Sequence, residues 1–440
     1  MWSKKGQVFV LLGAISLFGG LVVSNILLVI LGFLLLGMVV ISAMFRLSNE
    51  IVALRRGARE TGEKTYKGVK FTRKMSSYQM FEGSKASVRL YMENTARGAK
   101  RFELLDRLPD TVALAGGANT VVATVPSKAG STLDYIIDTP IKGFYKAGPL
   151  RIRETDLCRF FYDELTLDNT TEFKVYPNVF EVKEMSVKSK LPKLYAGTTI
   201  INKPGQGMEF YAIRDYVPGD SYRDINWPAF ARTRKLMVNE HEMEAVIELT
   251  IIMDYRAITR TGKVVSNPHL ASARAAASLA TYFVKRRDKV GLAIYHNDVT
   301  YVHRDGGAKH LNRLLNHITG EPVKGSVPLS GVVSTISKDI VKGMPIVVIS
   351  GLEEDETAYD GLKRLRAHGC DVTLISPTGL KMERAAAKDE ATREMLSVLE
   401  QERKAQLRQV RSLGVKVYDW DITTPFQSVI AAGARRRGRR

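Results

Sequence analysis

Val246-Ile-Glu-Leu-Thr-Ile-Ile-Met-Asp254 is an apolar run of strand length that ends on an acid. A strand that is apolar on both faces belongs inside a covered sheet. Downstream, an Ala-rich stretch at 269–287 reads as a helix and Val290–Tyr295 as a second strand. Helices are predicted at 308–318, 330–341 and 357–368, strands at Ile346–Ser350, Val372–Ser376 and Val415–Tyr418, and one long charged helix at 385–412. Strands alternating with helices predict a mostly parallel α/β sheet over 246–434, with any ligand site at the C-terminal ends of its strands.

At the other end of the chain, Gln7 to Met44 is a run of 38 residues without a charge. One helix of that length would reach about 57 Å, nearly twice a hydrocarbon core of about 30 Å, whereas two spans of about 18 residues fit. The polar pair Ser24-Asn25 is the cheapest place for a turn, so residues 1–50 predict a transmembrane hairpin with spans near 7–23 and 26–44. Lys4 and Lys5 before it, and Arg46, Arg55, Arg56 and Arg59 after it, place both termini and the soluble body on the cytoplasmic side of the cell membrane. A single tilted span with an outside body is the alternative, and Asn169-Thr170-Thr171 would then be a usable glycosylation sequon. Ser16, Gly20 and Ser24 form a small-xxx-small row, read as packing within the hairpin.

The chain has 440 residues and a formal charge of +19, but the excess is not spread out. The juxtamembrane linker at 51–70 begins a stretch, 51–74, with eight basic residues against Glu60 and Glu63. The tail at 435–440 holds five Arg, and Lys4 and Lys5 add two, so these places carry +6, +5 and +2, or +13 of the +19. That distribution favours anionic lipid over nucleic acid as the partner of the charged ends. Cys158 and Cys370 make neither a disulfide framework nor a CxxC ligand pair.

Between 71 and 180, short alternating runs such as Val88, Leu90 and Met92, punctuated by Gly and Pro, predict an antiparallel β-sandwich of Ig-like type. Further strands are expected at Arg101–Leu105, Val121–Val125, Leu133–Ile137, Pro149–Arg153 and Glu172–Tyr176. A separate segment, 181–245, carries the densest polar pattern. It contains Pro204-Gly-Gln-Gly-Met-Glu-Phe210, Arg214-Asp-Tyr-Val-Pro-Gly-Asp220, Arg223-Asp-Ile-Asn-Trp227 and Ala231-Arg-Thr-Arg-Lys-Leu236. Interleaved Arg and Asp around one aromatic predict an ion-pair network that fixes an irregular loop, with Trp227 as its apolar anchor. Partner recognition is the alternative reading. Glu209, Arg214, Tyr216, Asp220, Arg223, Trp227, Arg232 and Thr233 are its candidate residues.

These four strings resemble the signature of the domain-of-unknown-function-58 family, approximately G-x-G-x-E-F, R-E-Y-x-P-G-D, R-x-I-D-W and A-R-T. Asp215, Asn226 and Pro228 depart from it. Lys142-Gly-Phe-Tyr-Lys-Ala-Gly-Pro-Leu150 and Val175-Tyr-Pro177 match its upstream pieces, and with the hairpin the resemblance covers essentially the whole chain. It implies a von Willebrand factor A-like fold for 246–434 and a MoxR-type AAA+ ATPase as partner. Such folds often bind Mg²⁺ through an Asp-x-Ser-x-Ser loop and a second Asp, since a hard cation wants oxygen ligands. Here Asp254 holds the first position, but Arg256 and Ile258 stand at the two Ser positions and Gly351 follows Ser350 where an Asp is usual. The site is read as degenerate, with Glu353, Glu354 and Asp355 near enough in sequence to be considered.

Other chemistry has little support. His296, His303, His310 and His317 recur every seven residues, but His310 and His317 on one helix would be about 10.5 Å apart, too far to share an ion. No GxxxxGK[ST], GxSxG or HExxH occurs, so no cofactor is expected. The expectation is a membrane-anchored, non-catalytic scaffold. The rivals are a metal-assisted hydrolase using Asp254 with the Arg214–Arg232 cluster, and a membrane tether for nucleic acid.

Overall fold

Two apolar helices open the chain, α1 (Lys4–Val22) and α2 (Ile26–Arg56), and both contain a stretch apolar enough to cross a membrane. The turn between them falls at Ser24-Asn25, as the sequence predicts. Ser24 takes the left-handed conformation (φ 51°), and the Asn25 side chain accepts the backbone N–H groups of Leu27 and Leu28 at 3.0 and 3.4 Å, capping α2. Small residues draw the helices together. A Cβ on Gly20 would lie 2.7 Å from the Val29 nitrogen, and the Ser16 hydroxyl donates to the Leu28 carbonyl at 2.8 Å. α2 continues past the expected end at residue 44, so the first part of the basic linker is helical.

The computed structural model describes residues 3–56, 65, 66, 68–155, 160–182, 185 and 199–435, and the chain divides into two units, Met1–Val175 and Tyr176–Arg440. Linker residues 57–64, tail residues 436–440 and Cys158 lie outside the described residues.

In the first unit the strands build three sheets. Five strands run in the order β1 (Thr65–Tyr66), β2 (Val69–Met75), β4 (Ser84–Asn94), β8 (Gly130–Thr139) and β6 (Ala113–Gly117). Four run β11 (Tyr162–Leu167), β10 (Leu150–Thr155), β5 (Lys100–Asp106) and β7 (Thr120–Val125), and three run β3 (Gln79–Phe81), β12 (Thr171–Tyr176) and β9 (Gly143–Ala147). The pairings β2–β4, β4–β8, β5–β10 and β9–β12 are antiparallel, and alternate residues such as Phe71, Val88, Leu90, Leu104 and Ile137 fill one core. Inside that core is an ion pair. Arg73 donates to both Asp106 oxygens at 2.9 and 2.7 Å, to the carbonyls of Ala147 and Asn169, and to the Thr171 hydroxyl. Tyr135 donates to Asp106 at 2.8 Å, and burial beside that carboxylate raises its pKa.

Asn169 is 3% exposed and its amide nitrogen donates to the Phe71 carbonyl at 2.9 Å. A glycan cannot be attached there in the folded chain, which corrects the view of 169–171 as a usable sequon. The base of the helical hairpin rests on the same unit: the Ser3 amide donates to the Phe160 carbonyl, and the Phe9 and Phe160 rings lie 4.9 Å apart.

The second unit begins with a surprise for the polar segment. It is not an irregular loop but a long antiparallel hairpin, β13 (Thr199–Asp215) with β14 (Met237–Ala245), whose register shifts where Pro204, Gly205 and Phe210 interrupt the ladder. A short helix, α3 (Trp227–Thr233), lies in its connection. The six-stranded sheet then runs β17 (Val299–Asp305), β16 (Lys289–Tyr295), β15 (Glu248–Asp254), β18 (Pro345–Ile349), β19 (Asp371–Thr378) and β20 (Lys416–Asp421), parallel except for β17.

The double-sided burial of β15 explains its composition. Leu249, Ile251 and Met253 pack with α4 (Pro268–Lys285), α5 (Gly307–Gly320) and α10 (Phe426–Arg435). Ile252 packs with α6 (Leu329–Thr335), α7 (Ala358–Ala367) and α9 (Glu390–Ser412). The expected helix at 330–341 is shorter, and the one at 385–412 is two helices, α8 (Leu380–Ala386) and α9, because Asp389 caps a fresh start by accepting the Thr392 N–H at 2.8 Å. β17 and α10 were not expected.

Candidate functional site

Two places concentrate the residues singled out from the sequence. The first is the connection between β13 and β14. Arg214 grips Asp220 with two hydrogen bonds, 2.7 and 2.8 Å, and donates its third nitrogen to Glu240 at 2.8 Å. Asp220 also accepts the Val217 N–H at 2.8 Å, which closes the turn at Pro218-Gly219. These donors, Arg214 first and Val217 second, hold the Asp220 carboxyl down at about 2. A depressed carboxyl stabilises the fold above its ordinary range and loses that contribution as pH falls through about 2, so this turn is built to stay closed throughout the physiological range.

Asn226 caps α3 by accepting the Ala229 N–H at 2.9 Å and donates to Asn239 at 2.8 Å, while Thr233 donates to the Ala229 carbonyl. Tyr216 stacks with Tyr222, ring centres 6.4 Å apart. The candidate residues therefore divide. Arg214, Tyr216 and Asp220 are half-buried in the connection, whereas Arg223, Trp227, Arg232 and Thr233 are exposed, Thr233 with its hydroxyl turned back to the Ala229 carbonyl. Trp227, expected as an anchor, is 58% exposed and makes an edge-to-face contact with Phe230. Of Glu209 only the backbone, within β13, is described; its side chain lies outside the described residues. The sequence reading missed Tyr222, Phe230 and Leu236, exposed apolar neighbours of this surface, and Glu240, which completes the grip on Arg214.

The second place is the C-terminal end of β15. Asp254 is 1% exposed, and its two oxygens are both taken. One accepts the Arg256 backbone N–H and Nε, each at 3.0 Å; the other accepts Arg256 Nη2 at 2.8 Å and the Ser350 hydroxyl at 2.7 Å. Arg256, 3% exposed, also donates to the carbonyls of Glu353 (3.0 Å) and Glu354 (3.5 Å). Burial works against its charge, but the hydrogen bonds and attraction of Asp254 prevail, and its pKa lies above the ordinary arginine value.

The guanidinium thus stands on the carboxylate that a metal would need. The residues do not fit Mg²⁺: Ile258 brings no oxygen, and the Gly351 carbonyl is bound by Arg403 at 3.1 Å. Asp355 accepts the N–H groups of Leu329 and Thr357, and the half-buried Glu353 carboxyl has its pKa raised by burial, so neither completes an oxygen shell around Asp254. Leu352 and Glu354 both adopt left-handed conformations, φ 62° and 48°, which folds the strand-end loop back to offer its carbonyls to Arg256.

Elsewhere the four histidines do not converge. His310 contacts the Val290 carbonyl and His303 approaches Asp339, while His296 and His317 share Glu321 at 3.3 and 3.2 Å. Among the described residues no group of three or more His, Cys, Asp or Glu is placed to hold a metal ion. Nor do Asp254 and the Arg214–Arg232 cluster share partners: Arg214 is tied to Asp220 and Glu240, Arg232 to the Pro228 carbonyl, and Asp254 to Arg256 and Ser350.

The connection between β13 and β14 and the strand-end clasp fall within one family match. Residues 212–405 match the family described as protein of unknown function DUF58. The DUF58 match takes in the whole hairpin connection, little of β13 and most of the α/β sheet, a narrower span than the whole-chain resemblance read from the motifs, and the family's description names no catalytic activity. No curated protein matches the chain. Among solved structures it is similar to a FixG-related protein from Vibrio parahaemolyticus, 13% identical, covering 24% of this chain and 96% of that one at a TM-score of 0.18. A second is the cupredoxin domain of amoB from Nitrosocaldus yellowstonii, 8% identical, covering 28% of this chain and 99% of that one at 0.19. A third is proximal thread matrix protein 1 from the mussel byssus, 11% identical, covering 30% of this chain and 37% of that one at 0.25.

Proposed function

We propose that the chain is a membrane-anchored, non-catalytic scaffold. α1 and α2 span the cell membrane with both termini and the body in the cytoplasm. An Ig-like β-sandwich at 71–180 and a von Willebrand factor A-like domain at 246–434 follow, and the latter presents a surface to a protein partner, a MoxR-type AAA+ ATPase. The observation that carries this reading is the closed clasp at Asp254. In parallel α/β folds the strand ends are where ligands and reactive groups gather. Here the one carboxylate at the end of β15 is consumed by Arg256 and Ser350, which leaves it neither a base nor a metal ligand.

Beside it, the connection between β15 and α4 puts Val264 and Val265 into solvent, which suits docking better than catalysis. Basic residues on both flanks of the apolar helices support the cytoplasmic orientation. The test is an affinity pull-down of the detergent-solubilised full chain with Mg-ATP, partners being identified by mass spectrometry. An AAA+ ATPase should be recovered with the wild type and lost with Val264→Asp/Val265→Asp. Its absence from the wild-type sample would remove the proposed partnership.

A further inference from the structure

The exposed half of the β13–β14 connection has a composition that the scaffold reading leaves unused. Over residues 216–236 it shows solvent Val217, Tyr222 (75% exposed), Trp227, Phe230 and Leu236. Among them stand Arg223, Arg232, Arg234 and Lys235, all exposed, and none makes an ion pair among the described residues. These four cations face two acids in the same stretch, Asp220 and Asp224, and Asp220 is already neutralised by Arg214. The shape is held mainly by backbone hydrogen bonds and the Arg214 network behind the exposed groups. The Tyr216 amide donates to Leu236, the Asn226 amide to Met237, and the Arg214 network pins the turn. Arg234 takes a left-handed backbone (φ 55°) at the end of α3, where the chain turns back toward β14.

A rigid platform that pairs Trp, Tyr and Phe with unpaired Arg and Lys has the chemistry of the membrane–water interface, where amphipathic rings enter the headgroup layer and cations meet anionic lipid. We propose that this connection is a peripheral contact with the anionic surface of the bilayer, so that the chain holds the membrane at a second point besides its helical hairpin. The inference rests on the membrane anchorage proposed above. Charge complementarity selects the occupant: an acidic lipid surface supplies many weak partners to four scattered cations without needing a matching shape, and the two membrane-length helices keep such a surface at hand. Each cation removed weakens the contact about fivefold.

The experiment places the full chain in lipid nanodiscs carrying a nitroxide-labelled lipid, in a Trp2→Phe background so that emission comes from Trp227 and the buried Trp420, with Trp2→Phe/Trp227→Phe supplying the Trp420 contribution. Discs of equal parts phosphatidylglycerol and phosphatidylcholine should quench Trp227, and discs of phosphatidylcholine alone should not. Arg232→Gln/Lys235→Gln should relieve the quenching. Unquenched Trp227 in anionic discs that contain the protein would overturn the proposal and leave the surface to a protein partner, as would equal quenching in both lipids. Protein that fails to enter the discs at all would overturn the anchorage itself, and this inference with it.

Discussion

Arg256→Ala is expected to destabilise the α/β sheet by about 3–5 kcal/mol, the cost of leaving a buried carboxylate without its counter-charge. The variant strips Asp254, 1% exposed in the native fold, of two side-chain donors and leaves it the Arg256 backbone N–H and the Ser350 hydroxyl as partners. It also frees the Glu353 and Glu354 carbonyls that fix the loop after β18. A loss of that size is a large share of the roughly 5–15 kcal/mol that stabilises a typical domain. Urea unfolding of the detergent-solubilised chain, followed by Trp420 emission in a Trp2→Phe/Trp227→Phe background, reports on this sheet because Trp420 lies in its core. Asp254→Asn added to Arg256→Ala should recover much of the loss by removing the stranded charge. A loss under about 1 kcal/mol in the single variant would show that the clasp is not structural.

The second large effect belongs to the first unit. Arg73 and Asp106 have side chains with no solvent exposure, and Arg73 ties together β2, β5 and the backbone at Ala147 and Asn169. Arg73→Ala should therefore cost a further about 3–5 kcal/mol in that unit alone, stranding Asp106 with Tyr135 as its remaining side-chain donor. Hydrogen exchange read by mass spectrometry should show faster opening of β2, β4 and β5 while β15–β19 keep wild-type protection. Unchanged exchange in the Val69–Asn94 region would contradict it. Arg73→Met/Asp106→Leu should restore much of the protection, since a buried pair replaced by apolar groups of similar size is often tolerated.

How far each element could be read depended on whether one face or two decided its burial. β15 was legible because Leu249, Ile251, Ile252 and Met253 meet cores on both sides, and β4 because Val88, Leu90 and Met92 alternate cleanly between core and solvent. The helical turn was legible from Ser24-Asn25, the most polar point inside the apolar run. β13 was hidden: its pairing shifts register around Pro204, Gly205 and Phe210, so no two-residue period survives to be seen. α8 and α9 were fused because the charged pattern continues through the break, although Asp389 is an N-cap residue type.

At the clasp, the sequence already placed a positive Arg256 beside Asp254 and brought Ser350 and Gly351 to the same site, but the left-handed turns at Leu352 and Glu354, in the loop after β18, that offer carbonyls to Arg256 leave no mark in residue type. Trp227 was misjudged because an aromatic among charges looks alike whether it anchors a loop or is displayed by one; Arg214, Asp220 and Glu240 do the anchoring instead.

The most direct test of the scaffold reading asks whether a divalent ion can reach Asp254. Mn²⁺, which accepts the same oxygen ligands as Mg²⁺, can be titrated into the purified full chain and the free ion followed by electron paramagnetic resonance. With the carboxylate held by Arg256 and Ser350, no saturable binding is expected, and wild type and Asp254→Asn should give the same curve. Stoichiometric binding that disappears in Asp254→Asn would mean that the guanidinium yields to a cation, and the metal-assisted enzyme would replace the scaffold.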